Sequence, residues 1–283
     1  MEGQRRTGTL YIVATPLGNL EDVTLRALRI LREVDCIAAE DTRTTRKLLS
    51  AYDLHTPLIA YHEQGGKRRT QSILQKIRDR RDIALVSEAG MPGISDPGHE
   101  LIRACLTEGH QVTAVPGPSA MIVALALSGL PTDRFVFQGF LPRKRAQRLR
   151  VLEEMRDEVR TLVLYESPRR LADTLDDIFQ VWGNRRAALA RELTKRFEEC
   201  RREDVNVLRH WARSHEVKGE VTLVIAGRGE KEEDERLLHE RIRFLRQRCR
   251  LRSKDIVQVI HEETGIPRKA IYQAVLQQTN EEK

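Results

Sequence analysis

The segment Leu85–Gly98 reads L-V-S-E-A-G-M-P-G-I-S-D-P-G, a short apolar run entering a turn that holds Gly90, Pro92, Gly93 and Gly98. Small residues in such a turn let backbone amides come close to a ligand. The pattern recurs at Val112–Ala120 (V-T-A-V-P-G-P-S-A) and at Thr9–Asp22, where T-L-Y-I-V-A-T meets Pro16, Gly18 and Asn19. Taken singly, each turn also fits an ordinary strand-to-helix connection. Three of them together predict one ligand cleft. None has the G-x-G-x-x-G spacing, and the chain lacks G-x-x-x-x-G-K-[ST], so nucleotide diphosphates are poor candidates for that cleft.

The turns need strands to hold them. From Leu10 to Val115 the apolar runs Y-I-V-A, C-I-A-A, P-L-I-A, I-A-L-V and V-T-A-V alternate with segments of helical period such as Val23–Arg32. That alternation predicts an α/β unit with a mainly parallel sheet, whose ligand sits beyond the carboxyl ends of the strands. After Ala120–Leu130, strand candidates at Phe135–Phe140, Thr161–Tyr165, Ala187–Arg191 and Glu220–Ala226 lie between charge-rich helical segments and predict a second α/β domain. The polar break Gly227–Asp234 precedes a wholly helical pattern. The expected division is 1–118, 119–229 and 230–283.

The chain has 283 residues, enough for two domains and a small third, and carries 49 Lys+Arg against 42 Asp+Glu, a formal charge of +7. A polyanion is a natural partner. The densest basic run in the core is Arg143, Lys144, Arg145, Arg148 and Arg150, which serves equally as a solvated helix face. Near the end, Ser253 caps a helix Lys254–Glu263 that stops at Gly265. Ile266 and Pro267 restart a last helix to about Gln277, giving a helix-turn-helix outline suited to backbone contact with nucleic acid or to docking as a small bundle. Cys36, Cys105, Cys200 and Cys249 are isolated and read as reduced thiols. His210 and His215 lack metal-ligand spacing, and the longest apolar window, Met121–Leu130, is too short for a bilayer. A cytoplasmic protein without a metal or a membrane partner is expected.

Y-I-V-A-T-P-L-G-N-L-E-D-V-T-L-R-A-L (Tyr11–Leu28), A-A-E-D-T-R-T-T-R-K-L-L (Ala38–Leu49), the Leu85 turn, V-P-G-P-S-A, Y-E-S-P-R-R (Tyr165–Arg170), A-R-E-L-T-K (Ala190–Lys195) and G-E-V-T-L-V-I-A-G (Gly219–Gly227) together resemble the ribosomal RNA small subunit methyltransferase I family. The resemblance runs in register over roughly four-fifths of the chain and extends to that family's C-terminal helices. It implies a tetrapyrrole-methylase-like fold with S-adenosylmethionine in the cleft between two α/β domains. It also implies 2′-O-methylation of a cytidine in the decoding region of 16S ribosomal RNA, on an assembled or nearly assembled small subunit, by a homodimer. The family usually reads S-D-A-G-T-P-G-I-S-D-P-G, where this chain has Glu88 and Met91. Met91 removes a hydroxyl and adds bulk. A precorrin-type tetrapyrrole methyltransferase and a ligand-sensing, nucleic-acid-binding regulator are the rival readings.

Carried over by motif position, the cofactor contacts are Pro16, Glu88, Ala89, Gly90, Met91, Gly93, Ile94, Ser119, Ala120, Tyr165, Leu193 and Thr222. Tyr165 also fits a core tyrosine. Because the sulfonium is already a good leaving group, placement in a dry site supplies most of the rate, and a general base adds to it. The base candidates are Asp41, Asp96 and, if burial makes it neutral, Lys195. Asp96 also suits a turn or cap, and Asp41 a pairing with Arg43 or Arg46. Phosphate contacts are expected from Arg43 and Arg46, from Arg143, Lys144 and Arg145, and from Arg268 and Lys269.

Overall fold

Residues one apart on a strand face opposite ways, and the first half of the chain uses both faces. In the computed structural model, which describes residues 8–62, 66–249, 251–264 and 268–281, β1 (Thr9–Val13), β2 (Cys36–Ala39), β3 (Leu58–Ala60), β4 (Ile83–Val86) and β5 (Gln111–Val115) form a sheet in the order β3-β2-β4-β1-β5. Every pairing in it is parallel. Ile37, Ala39, Ala84 and Val86 pack on one side against Ala27, Ile30 and Leu31 of α1 (Leu25–Glu33) and Leu48 and Leu49 of α2 (Thr42–Ala51). Cys36, Ala38, Ile83 and Leu85 pack on the other against Ile73, Leu74 and Ile77 of α3 (Gly66–Arg78) and Leu101 and Cys105 of α4 (His99–Thr107). Burial on both faces explains the continuous apolar runs.

The second sheet is mixed, in the order β6-β7-β10-β8-β9, with β6 (Phe135–Phe140) parallel to β7 (Thr161–Glu166) and the remaining pairs, through β10 (Val221–Ile225) and β8 (Arg186–Arg191), antiparallel. Its fifth strand, β9 (Glu199–Asp204, E-C-R-R-E-D), differs from expectation, since its charge reads as helix or loop. It is an edge strand whose six residues pair with β8 from Arg186↔Asp204 to Arg191↔Glu199, and an edge position lets charged side chains reach water from both faces. One face carries α6 (Arg145–Glu154), α7 (Leu171–Trp182) and α8 (Val205–Ser214). The other carries α5 (Ala120–Ser128), whose Ala124 and Leu125 pack on Val163, Ala188, Ala190 and Val224. Leu17 and Ala89, from the turns of the first sheet, join that same cluster and seat the two sheets against each other.

Three helices follow: α9 (Glu230–Gln247), α10 (Ser253–Thr264) and α11 (Arg268–Glu281). α9 begins inside the stretch expected to be a polar break, Ser253 is the first residue of α10 rather than its cap, and α11 runs past Gln277. Ile242, Leu245, Ile256, Ile260, Ile271 and Val275 give them a core of their own. The turn residues Gly265, Ile266 and Pro267 lie outside the described residues. No described helix is long and apolar enough to cross a membrane.

Candidate active site

β4, β1 and β5 are neighbours, so the three glycine turns that leave their carboxyl ends lie side by side. Thr15 and Gly90 lock two of them together by exchanging backbone hydrogen bonds, Thr15 N to Gly90 O at 2.9 Å and Gly90 N to Thr15 O at 3.0 Å. Gly90 does this at φ +77, a conformation that favours glycine. Facing the turns are the ends of β6 and β7 and the start of β10 in the second sheet. Between them lies a cleft of about 310 Å³, of the order of small-molecule sites.

Of the residues expected to hold a cofactor, Glu88, Ala89, Gly90, Met91, Ile94, Ser119, Ala120, Tyr165 and Thr222 line this cleft. Three do not. Pro16 lies in an adjoining pocket while its neighbour Leu17 reaches the cleft. Gly93 serves the turn, at φ +82, and Leu193 is buried in the cluster between the sheets. Tyr165 is more than core: its hydroxyl accepts a hydrogen bond from Met121 N at 3.2 Å, in the first turn of α5, and its ring packs edge-on against Phe137 at 5.0 Å and tilted against Phe140 at 5.6 Å. Phe140, Glu40, Glu166 and Glu220 also line the cleft, and no turn or spacing in the sequence marks them for it. Glu166 is fully engaged, accepting from Ser167 N at 2.7 Å and Thr174 Oγ1 at 2.6 Å and pairing with Arg170 at 3.2 Å.

Asp96 is the titratable group that the cleft perturbs most. Burial raises its carboxyl, Glu40 adds to that, a hydrogen bond from Ser87 opposes it, and Glu88 and Glu220 raise it further, leaving it pushed up to about 7. A carboxyl poised there can exchange a proton at neutral pH. It lines the cleft, so the turn or cap role does not exhaust it.

The other two base candidates are corrected by their contacts. Asp41 does not line the cleft. It is the N-cap of α2, accepting from Arg43 N at 2.7 Å and Thr44 N at 3.4 Å, and it pairs with the Arg43 guanidinium, whose hydrogen bond holds the carboxyl below its usual range. Lys195 is not neutral. Burial pulls its ammonium down, but Glu220 and Glu192, at 3.2 and 3.1 Å, outweigh burial and raise it, so it stays charged. The backbone is shaped for that triad: Gly219 sits at φ +85, and a Cβ there would run into the Glu192 side chain.

The expected phosphate contacts divide. Arg143 and Lys144 are exposed ahead of α6 without an ion-pair partner among the described residues. Arg145 is held by Asp177 at 2.9 Å and Gln180 at 3.0 Å. Arg148, from the same basic run, is buried against Asp177 at 2.7 Å, and Arg150 pairs with Glu154. Arg43 and Arg46 flank a shallow depression with Lys47 on α2, and Arg268 and Lys269 are exposed at the start of α11.

The model of the tetrapyrrole (corrin/porphyrin) methylases matches residues 9–209. A ribosomal RNA small subunit methyltransferase I from Halalkalibacterium halodurans is 47% identical over 270 residues, covering 94% of this chain and 93% of the relative. The protein of that name from Escherichia coli O157:H7 is 42% identical over 275 residues, covering 96% of each. Among solved structures, uroporphyrin-III-C-methyltransferase from Thermus thermophilus superposes with a TM-score of 0.54 at 21% identity, over 77% of this chain and 94% of that one. A cobalt precorrin-4 methyltransferase gives 0.60 at 16%, with the same coverage. At those identities the structural likeness speaks for the fold alone. The chain belongs to the tetrapyrrole methylases and, within them, to the ribosomal RNA small subunit methyltransferase I family.

Proposed function

We propose that this methyltransferase uses S-adenosylmethionine to methylate the 2′-oxygen of a cytidine in the decoding region of 16S ribosomal RNA. The observation that carries the reading is the collinear match, over nearly the whole chain, to relatives named as ribosomal RNA small subunit methyltransferases. The cleft supports it chemically.

Its lining fits the cofactor. Carboxylates at Glu88 and Glu220 suit a sulfonium and an ammonium, the start of α5 at Ser119 and Ala120 offers amides to a carboxylate, and Leu17, Ile94, Phe140 and Tyr165 supply apolar walls. When bound, S-adenosylmethionine supplies an electrophilic methyl group on a good leaving group. The chain's own contribution is placement and proton transfer. The two sheets exclude water and hold the acceptor ribose, and the ionised Asp96 carboxylate takes the hydroxyl proton as the oxygen becomes nucleophilic. Arg143 and Lys144, with Arg46 and the exposed cations of α11, hold the RNA backbone. The reading includes a cytoplasmic homodimer acting on the small subunit, which rests on the family resemblance.

The test is transfer of labelled methyl from S-adenosylmethionine to undermethylated small subunits, to naked ribosomal RNA and to a tetrapyrrole. Label entering the RNA of the subunit is the expected result. Label confined to the tetrapyrrole, or none in RNA from enzyme that binds the cofactor, would overturn the reading.

A further inference from the structure

A second pocket, of about 290 Å³, lies against the cofactor cleft and shares Leu17, Glu88, Ala89 and Glu220 with it. Its far wall is the start of α2, with Thr44, Thr45, Lys47 and Leu48. That wall differs from the cleft in charge. The cleft gathers Glu40, Glu88, Asp96 and Glu220, a set that repels phosphate. In the second pocket Glu88 and Glu220 face two cations that the cleft lacks: Lys195, which pairs with both Glu220 and Glu192, and Lys47, which stands exposed with no ion-pair partner among the described residues. Lys47 also belongs to the depression outside, beside Arg43 and Arg46.

A strand of RNA that delivers one ribose to the cleft must keep its phosphates away from those carboxylates and find room for one base. Unpaired nucleotides are recognised by splaying a base into a pocket while cations grip the backbone. We infer that the second pocket holds the methyl-accepting nucleoside of an unpaired RNA segment, with Lys47 and Arg46 on its phosphates and its ribose directed across the Leu17 and Ala89 partition. This rests on the RNA-methylating reading above. α2 then does two things at once. Arg46 and Lys47, one after the other on its exposed face, carry the charge, and the half-buried Thr44 faces the base from the pocket wall.

Two variants of the full chain test this, assayed with small subunits for kcat and KM and by calorimetry for cofactor Kd. Thr44→Trp fills the pocket and lowers kcat/KM for the subunit by about a hundredfold, since displacing the acceptor by even an ångström costs that much. Lys47→Glu, at an exposed position that folding does not need, raises KM for the subunit by about tenfold with kcat retained, and flattens its salt dependence. Both bind the cofactor as the parent does, which also reports an intact fold. Parental methylation by Thr44→Trp would overturn the assignment while leaving the RNA-methylating reading intact. Weakened cofactor binding in both variants would give the pocket to the cofactor instead and overturn it equally. Failure of the parent enzyme to label RNA would overturn both readings together.

Discussion

Lys195 Nζ lies 3.2 Å from Glu220 Oε2, and Glu220 lines both the cofactor cleft and the pocket beside it. Lys195, shared with Glu192, offsets part of the charge of Glu220, which is one of the carboxylates that raise the Asp96 carboxyl. The ascending limb of kcat/KM against pH, which reports the free enzyme, is therefore set by Asp96 near 7. Lys195→Met leaves Glu220 uncompensated, raises the Asp96 carboxyl further and moves that limb to higher pH. A pH–rate profile checks this, and a limb that stays put would remove Lys195 from the electrostatics of the reaction.

Asp96→Asn keeps shape and removes the charge. The unfolded carboxyl titrates near its ordinary 3.8 and the folded one near 7. Between those values the folded state holds a proton that the unfolded state has lost, so this group's contribution to stability is full below about 4 and falls as pH rises through 7. The asparagine variant is accordingly more thermostable than the parent at pH 8, by a margin that shrinks towards pH 4, while kcat falls by about a hundredfold. Calorimetry across that pH range and a turnover assay read both effects; equal melting temperatures at pH 8 would contradict the buried, repelled carboxyl.

The basic run divides into structural and binding charges. Arg148 and Asp177 are both nearly inaccessible, their side chains 5% and 2% exposed, so Arg148→Ala leaves the buried carboxylate with Arg145 as its remaining cation and costs about 2 kcal/mol of stability. Arg143→Glu with Lys144→Glu leaves the melting temperature unchanged, weakens RNA binding and reduces the slope of log affinity against log salt by about two. Denaturation curves and salt titrations separate the two. A destabilised Arg143→Glu, Lys144→Glu protein would show that these exposed charges also belong to the fold.

Tyr165→Phe preserves the aromatic cluster with Phe137 and Phe140 but leaves Met121 N without its acceptor. Losing that bond costs about 1 kcal/mol. Because it fixes the start of α5 beside Ser119 and Ala120, cofactor Kd rises about fivefold. Titration calorimetry measures this, and an unchanged Kd would show that α5 is positioned by packing alone.

The strands of the first sheet were legible because burial on both faces writes them as unbroken apolar runs, and the turn glycines mark where each one ends. β9 was not, because an edge strand needs no apolar alternation and its partner supplies the order. The cleft's backbone-lined side was legible for the same reason as the turns. Its electrostatics were not: the charge on Lys195 depends on Glu220, 25 residues away, and the burial of Arg148 on Asp177, 29 away. Nothing in local spacing announces such pairs. Asp96 could be named from its turn, but its raised carboxyl comes from burial and from Glu40 and Glu220, which the fold alone brings near.

The central claim is that the methyl group goes to a ribose oxygen. Small subunits labelled from S-adenosylmethionine by the wild-type enzyme, followed by complete alkaline hydrolysis of their RNA, test it directly, because a 2′-O-methyl group blocks cleavage at its own phosphodiester. Label recovered in an alkali-stable dinucleotide whose first residue is cytidine is the predicted result. Label recovered in a mononucleotide would mean base methylation and would contradict the account.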